Sequence, residues 1–319
     1  MPIPAEFAPM LGPAAAVGTS VLWTCSTLLF STASRRLGAT IVNVVRIWLA
    51  LVFVVIAQRL IGGSWLPTGD PTQFAWLIAS GFLGVCIGDQ ALLSAYVLIG
   101  PRLSAMVTTT APLMAAAFGI AMLGERISPI AGVGMIMTLG GVVWVVLERS
   151  PDATQTTASR RWLGIALATL SAACQAAGML MSKKGIGHGW LPREQHLDPL
   201  AASMIRIAAA AVCVMPLLAI RTMRSKPTAV EHPPGTPSAS TAWTCAVIGA
   251  VVGPFLGMTL SLVAADLIPI GIAQTLCSLS PIFILPALAF IQRERISIRA
   301  VLGAMLSVAG GAMLFLSRP

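Results

Sequence analysis

Long apolar runs separated by short polar breaks fill almost the whole chain. A helix needs about 20 mostly apolar residues to cross about 30 Å of hydrocarbon. Such runs lie at 11–33, 39–60, 73–98, 101–123, 127–147, 162–182, 199–221, 241–265, 268–291 and 297–317. They predict an all-α polytopic membrane protein with ten transmembrane helices, spans 1 to 10; a re-entrant path stays open for spans 4 and 9. The longest polar stretches are 148–161, 184–198 and 222–240. Pro, Ser and Thr crowd the last, which reads as an aqueous loop.

The apolar pattern repeats. At a constant offset of 169, residues 84–147 fall on 253–316 and bring together Gly84/Gly253, Gly88/Gly257, Ala95/Ala264, Ile99/Ile268, Pro112/Pro281, Gly134/Gly303 and Gly141/Gly310. Glu125-Arg126-Ile127-Ser128 likewise meets Glu294-Arg295-Ile296-Ser297. Earlier in each half, Arg46-Ile47 matches Arg206-Ile207 at offset 160, and Ser34-Arg35-Arg36 matches Ser182-Lys183-Lys184 at offset 148. Longer loops after spans 6 and 7 account for the growing offset. The repeats are 11–147 and 162–317, joined by the loop 148–161. Each holds five spans. Five is odd, so the second repeat enters the membrane from the opposite side, giving inverted-topology repeats of the kind found in secondary transporters.

Composition agrees with a bilayer protein. Of 319 residues, 56% are hydrophobic and 10% charged, against about 25% charged in an average soluble domain. Mean hydropathy is +0.87. The net charge of +9 comes in small basic groups between apolar runs, which suits loops at anionic headgroups and gives no nucleic-acid footprint. Six cysteines stand singly in apolar runs without metal-ligand spacing, so neither metal nor cofactor is expected. Residues 1–20 lack Lys and Arg, so no cleavable signal peptide is expected. Lys and Arg are commoner in the odd-numbered loops than in the even-numbered loops and termini, which by the positive-inside rule puts the termini outside.

Charges inside spans are expensive and are kept when paired or facing water. Asp89 lies about a turn from the middle of span 3, with Gln90 beside it and Tyr96, the chain's single tyrosine, on the same face. Asp89 reads either as a counter-ion or proton-coupling carboxylate, or as a structural partner for Arg46 or a helix end. Its repeat counterpart is Met258, so any chemistry at Asp89 breaks the symmetry of the halves. Arg46 and Arg206 are symmetric and read first as ties within each half. Thr24, Thr109, Gln175, Gln274 and Ser278 are the further candidates for substrate contact. Pro112 and Pro281 are expected to kink spans 4 and 9, and Glu125 and Glu294 to anchor, or gate, the ends of those spans.

The two five-span repeats, each with an Arg in its second span, a Pro in its fourth and a Glu before a Gly-bearing fifth, resemble the drug/metabolite transporter superfamily, and within it the EamA-domain family. The resemblance covers roughly 15–317. It implies secondary active movement of small metabolites without ATP, through a central cavity lined mainly by spans 1, 3, 4, 6, 8 and 9. It also implies both termini in the cytosol, against the loop-charge count, so orientation stays open. The expected partners are the lipid bilayer, here the inner or plasma membrane, a small-molecule substrate such as an amino acid or amine, and protons as coupling ion. An acidic residue among glutamines and threonines favours a zwitterionic or cationic substrate. A membrane sensor without transport is the alternative. An enzyme is less favoured, because His188, His196 and His232 all fall in loops; no Walker A sequence is present, so nucleotide-driven pumping is not expected.

Overall fold

The computed structural model describes residues 8–148, 158–224, 237–280, 282–283 and 298–316. Every long element among them is a helix: α1 (Ala8–Leu37), α2 (Ala39–Ile61), α3 (Pro71–Ser80, Gly81–Gly88 and Asp89–Thr108), α4 (Ala111–Leu123), α5 (Pro129–Glu148), α6 (Ala158–Ile186), α7 (Pro199–Arg224), α8 (Ala239–Ala250, Val251–Gly257 and Met258–Leu267), α9 (Ile270–Cys277) and α10 (Ile298–Leu316). Six segments are long and apolar enough to cross a membrane: Met10–Phe30, Ile41–Ile61, Pro71–Leu92, Ser159–Ile186, Pro199–Pro216 and Ala239–Leu267. Ala111–Leu123, Pro129–Trp144 and Val301–Leu314 are apolar but shorter. The protein is thus a multi-pass membrane protein whose described residues show six of the ten expected crossings at full length.

Side chains are distributed as a bilayer requires. Small residues such as Ala16, Ala50, Ala95, Ala172 and Ala273, with Ser80, Ser171 and Ser307, are frequent in the interior beside larger ones such as Leu77, Leu262 and Leu276. Large apolar side chains such as Ile61, Ile136, Trp162, Val212 and Met305 point outward. Lipid is as apolar as leucine, so close backbone approach, packing and polar bonds drive the association of such helices.

The middle part of α3, Gly81–Gly88, and that of α8, Val251–Gly257, are both wound as π-helix, and they occupy matching places in the two repeats. The helices they pack on match too. A Cβ added at Gly84 would meet Gly178 and Cys174 of α6, and one added at Gly253 would meet Ser26 and Phe30 of α1. So α3 lies on α6 as α8 lies on α1, each contact joining one repeat to the other.

One expected boundary moves. Helical conformation runs through Gly100 and Pro101 to Thr108, and the interruption falls at the turn Thr109–Thr110 instead of after residue 98. A helix carried across a proline loses one hydrogen bond, whereas an open loop in hydrocarbon leaves several backbone groups unpaired. Pro112 then sits in the first turn of α4, where its missing N–H is no loss. The second repeat has its turn at the matching residues, Ser278–Leu279. Thr110 N–H bonds to Val107 C=O at 3.1 Å and Leu279 N–H to Leu276 C=O at 3.2 Å, again equivalent pairs. Pro281 and Glu294 lie outside the described residues.

Candidate functional site

Arg46 of α2 donates from Nη2 to Asp89 Oδ2 of α3 at 2.8 Å. Its Nε donates to Asn43 Oδ1 at 2.8 Å, and its guanidinium lies 5.5 Å from the Phe30 ring centre of α1. Of the partners open to it in the sequence, Asp89 takes Arg46. Both side chains are 24% exposed although each belongs to a membrane-length helix. Ionisable groups within spans almost always face the bundle interior or a water-filled cavity, and such a pair is a candidate for one.

Arg206 of α7 completes the group. It is 6% exposed, its Nε has no hydrogen-bond partner, and it lies within electrostatic reach of Asp89. It packs on the π-wound part of α3: its backbone carbonyl abuts Gly81, and its Nη2 lies 3.5 Å from where a Cβ at Gly84 would be. Two guanidiniums therefore face one carboxylate, which leaves a surplus positive charge. The repeat explains the imbalance. Asn43, Arg46, Asp89 and Gln90 correspond to Ser203, Arg206, Met258 and Thr259. The second repeat keeps the arginine and loses the acid, and Thr259 Oγ1 donates to Ser203 Oγ at 3.0 Å in its place.

A second polar cluster ties helix ends. Glu125, just beyond α4, accepts from Lys183 Nζ of α6 at 2.6 Å and from the backbone N–H of Ile270 at 2.9 Å. Lys183 also donates to the C=O of Ile268 at 2.7 Å. Both side chains are nearly buried. The arrangement follows from helix ends: Pro269 offers α9 no side-chain cap, so Glu125 caps it from another helix, and Lys183 satisfies a carbonyl at the end of α8. Four helices, α4, α6, α8 and α9, are joined here by one ion pair.

The other candidates separate. Thr24 Oγ1 donates to the carbonyls of Ser20 at 2.9 Å and Ser280 at 3.0 Å, binding α1 to the turn after α9. Gln274 is buried, and its C=O accepts from Ser278 Oγ at 2.8 Å, so both belong to that turn. Gln90 is exposed, and Gln175 and Thr109 are half-buried. The side chain of Tyr96 lies outside the described residues. Asn43, Ser203 and Lys183 were not singled out by the sequence. The match of Ser182-Lys183-Lys184 with Ser34-Arg35-Arg36 was the signal for Lys183.

The family model of EamA-like transporters matches residues 10–147 and again residues 162–316. The chain belongs to the EamA-like transporter family. Its two matches agree with the repeats read from the apolar pattern. None of the curated proteins compared with the chain matches it. Among solved structures, one titled "Crystal structure of protein" is similar with a TM-score of 0.71 and 18% identity, covering 95% of both chains. At that identity the likeness shows a shared fold alone, over nearly the whole of both chains.

Proposed function

We propose that this EamA-like protein is a secondary transporter of small metabolites that carry a carboxylate, amino acids among them, working by alternating access between inverted repeats. The observation that carries this reading is the Arg46–Asp89–Arg206 group. It is assembled from α2 and α3 of one repeat and α7 of the other, within membrane-length helices, where inverted-repeat transporters bind substrate. The preference for cationic substrates suggested by Asp89 gives way to one for a carboxylate, because Arg46 already occupies the acid while Arg206 has an unsatisfied Nε. A substrate carboxylate on Arg206 would bring the charges to balance and supply that hydrogen bond. The bond between Lys183 and Glu125 would hold one end shut while the other is open.

Flux into liposomes carrying the purified protein tests this, using amino acids, simple carboxylates and amines with and without a pH gradient. Carboxylate-bearing solutes are expected to move above the empty-liposome level and amines not. Asp89→Asn is expected to remove any dependence on the proton gradient. Binding without flux would favour the sensor, and chemical conversion of a solute an enzyme. The inner or plasma membrane is the site we assign to it.

A further inference from the structure

Two loop histidines that show no ligand spacing in the sequence meet a carboxylate in the fold. His188 Nε2 lies 2.7 Å from Asp266 Oδ1 at the end of α8. The ring of His196 is 4.6 Å from that of His188, centre to centre. One ligand atom from each of the three residues lies within 4.8 Å of the others, and all three side chains are half-buried.

The loop is shaped to hold this arrangement. Gly187 and Gly189 have φ of 130° and 85°, a region that other residues rarely adopt. A Cβ at Gly187 would stand 2.7 Å from Cδ2 of His196, so glycine there lets the imidazole rest on the backbone. Gln73 Nε2 of α3 donates to the carbonyls of Ile186 and Gln195, both at 3.1 Å, pinning the two arms of the loop. Leu197 N–H closes the loop onto Ile186 C=O at 2.9 Å.

We propose that His188, His196 and Asp266 form a binding site for a divalent transition metal of the zinc class. Two imidazoles and one carboxylate are the donors such ions take, with a fourth position left to water. Magnesium and calcium, which prefer oxygen cages, are poorly served. Zinc–nitrogen bonds of about 2.0–2.1 Å set neighbouring donors in a tetrahedron about 3.4 Å apart, so the imidazoles swing inward and the His188–Asp266 hydrogen bond gives way to two metal bonds. The positive charge of Lys183 next to the site is already balanced by Glu125. A bound ion joins the α6–α7 loop to α8 beside the Lys183–Glu125 pair. On the transport reading it therefore holds that end shut and slows flux.

The test is equilibrium dialysis of the full chain, purified without a polyhistidine tag, against Co²⁺ and Zn²⁺. One ion per chain is expected, with a Co²⁺ spectrum of nitrogen and oxygen ligands and no thiolate charge-transfer band. His188→Ala and His196→Ala are each expected to weaken binding at least about tenfold, and His232→Ala to leave it unchanged. Thermal melting without metal checks that the variants fold. Absence of stoichiometric binding would overturn the site, as would a thiolate spectrum or binding that survives in a folded variant carrying both His188→Ala and His196→Ala. Metal bound in a protein that moves no solute would leave this site standing and count against the transport reading alone.

Discussion

Thr138 and Ser307 hold equivalent positions in the two repeats, and each hydroxyl lies against the other's carbonyl. Ser307 Oγ donates to Thr138 C=O at 3.0 Å, while Thr138 Oγ1 donates to Gly134 C=O at 2.8 Å and lies 3.5 Å from Ser307 C=O. The glycines around them follow the same rule: Gly134 meets Gly310, and Gly141 meets Gly303. Reciprocal contacts of this kind are the mark of a two-fold relationship. Here α5 and α10 cross antiparallel, since residues later in one helix meet residues earlier in the other. A two-fold axis relating antiparallel helices lies across them, which supports the inverted arrangement proposed for the repeats.

That crossing makes a stability prediction. A Cβ at Gly310 would sit 2.6 Å from Gly134 O and Thr138 N, and one at Gly141 would sit 2.7 Å from Ser307 N. Gly141→Val and Gly310→Val should therefore each destabilise the protein by about 1–3 kcal/mol, and by similar amounts. Gly140→Val should be nearly silent, because a Cβ there meets nothing within 4 Å. Thermal unfolding in detergent compares the three. An equal loss at Gly140 would show that helix propensity, not the crossing, sets the cost.

The Arg46–Asp89 pair predicts coupling. Asp89→Asn leaves two guanidiniums facing each other without their acid, and Arg46→Gln leaves the carboxylate with Arg206. The double variant should be less damaged than the sum of the two, with a coupling of about 1 kcal/mol, since about a quarter of each side chain is exposed. A double-mutant cycle on unfolding measures this. Additive losses would mean that the two groups do not stabilise each other.

Much of this was legible beforehand. The repeat offset that aligns Gly84 with Gly253 also aligns their π-wound segments and their partner helices, because small residues are retained where backbones touch. Asp89 and the two arginines stood out because charge is scarce in spans. What could not be read was pairing across the repeats. Nothing in the order of residues says that Lys183 reaches Glu125, or that His188 reaches Asp266, since such contacts depend on how helix ends meet in space. The turn at Thr109–Thr110 was misplaced because Gly100-Pro101 is the stronger local breaker, and local rules weigh less where an open backbone has no water to bond.

Arg206→Lys should separate charge from geometry. Lysine keeps the positive charge but has no Nε–H and no planar fork for a carboxylate. A KM for a carboxylate-bearing solute raised by about 12- to 160-fold with little change in maximal rate is expected, the worth of one charge-assisted hydrogen bond of about 1.5–3 kcal/mol. Unchanged KM in the liposome assay would remove Arg206 from the substrate site.

Reversing the Glu125–Lys183 pair should not rescue it. Glu125 also accepts from Ile270 N–H, and Lys183 also donates to Ile268 C=O. In Glu125→Lys with Lys183→Glu the attraction survives, but a donor faces a donor and an acceptor faces an acceptor. Reactivity of a cysteine introduced in place of half-buried Leu123, two residues from Glu125, towards a water-soluble maleimide, in a background without the native cysteines, reports how open this end is. Glu125→Gln alone and the reversed pair should both raise it; protection in the reversed pair would show that charge alone closes the end.

By the repeat offsets, Lys183 and Glu125 correspond in sequence to Arg35 and Glu294. Alternating access predicts that these two meet when the first pair parts. The copy is incomplete: Ile270, whose N–H caps onto Glu125, corresponds to Pro101, which has no N–H. The second lock therefore lacks a charge-assisted hydrogen bond worth about 1.5–3 kcal/mol, enough to bias the protein towards the state with Glu125 engaged. Cysteines placed at 35 and 294 in the background without native cysteines should cross-link slowly in the otherwise unchanged chain. They should do so about tenfold faster with Glu125→Gln, which removes the competing charge pair and corresponds to a shift of about 1.4 kcal/mol. Equal rates with and without Glu125→Gln would mean that the two ends do not exclude each other.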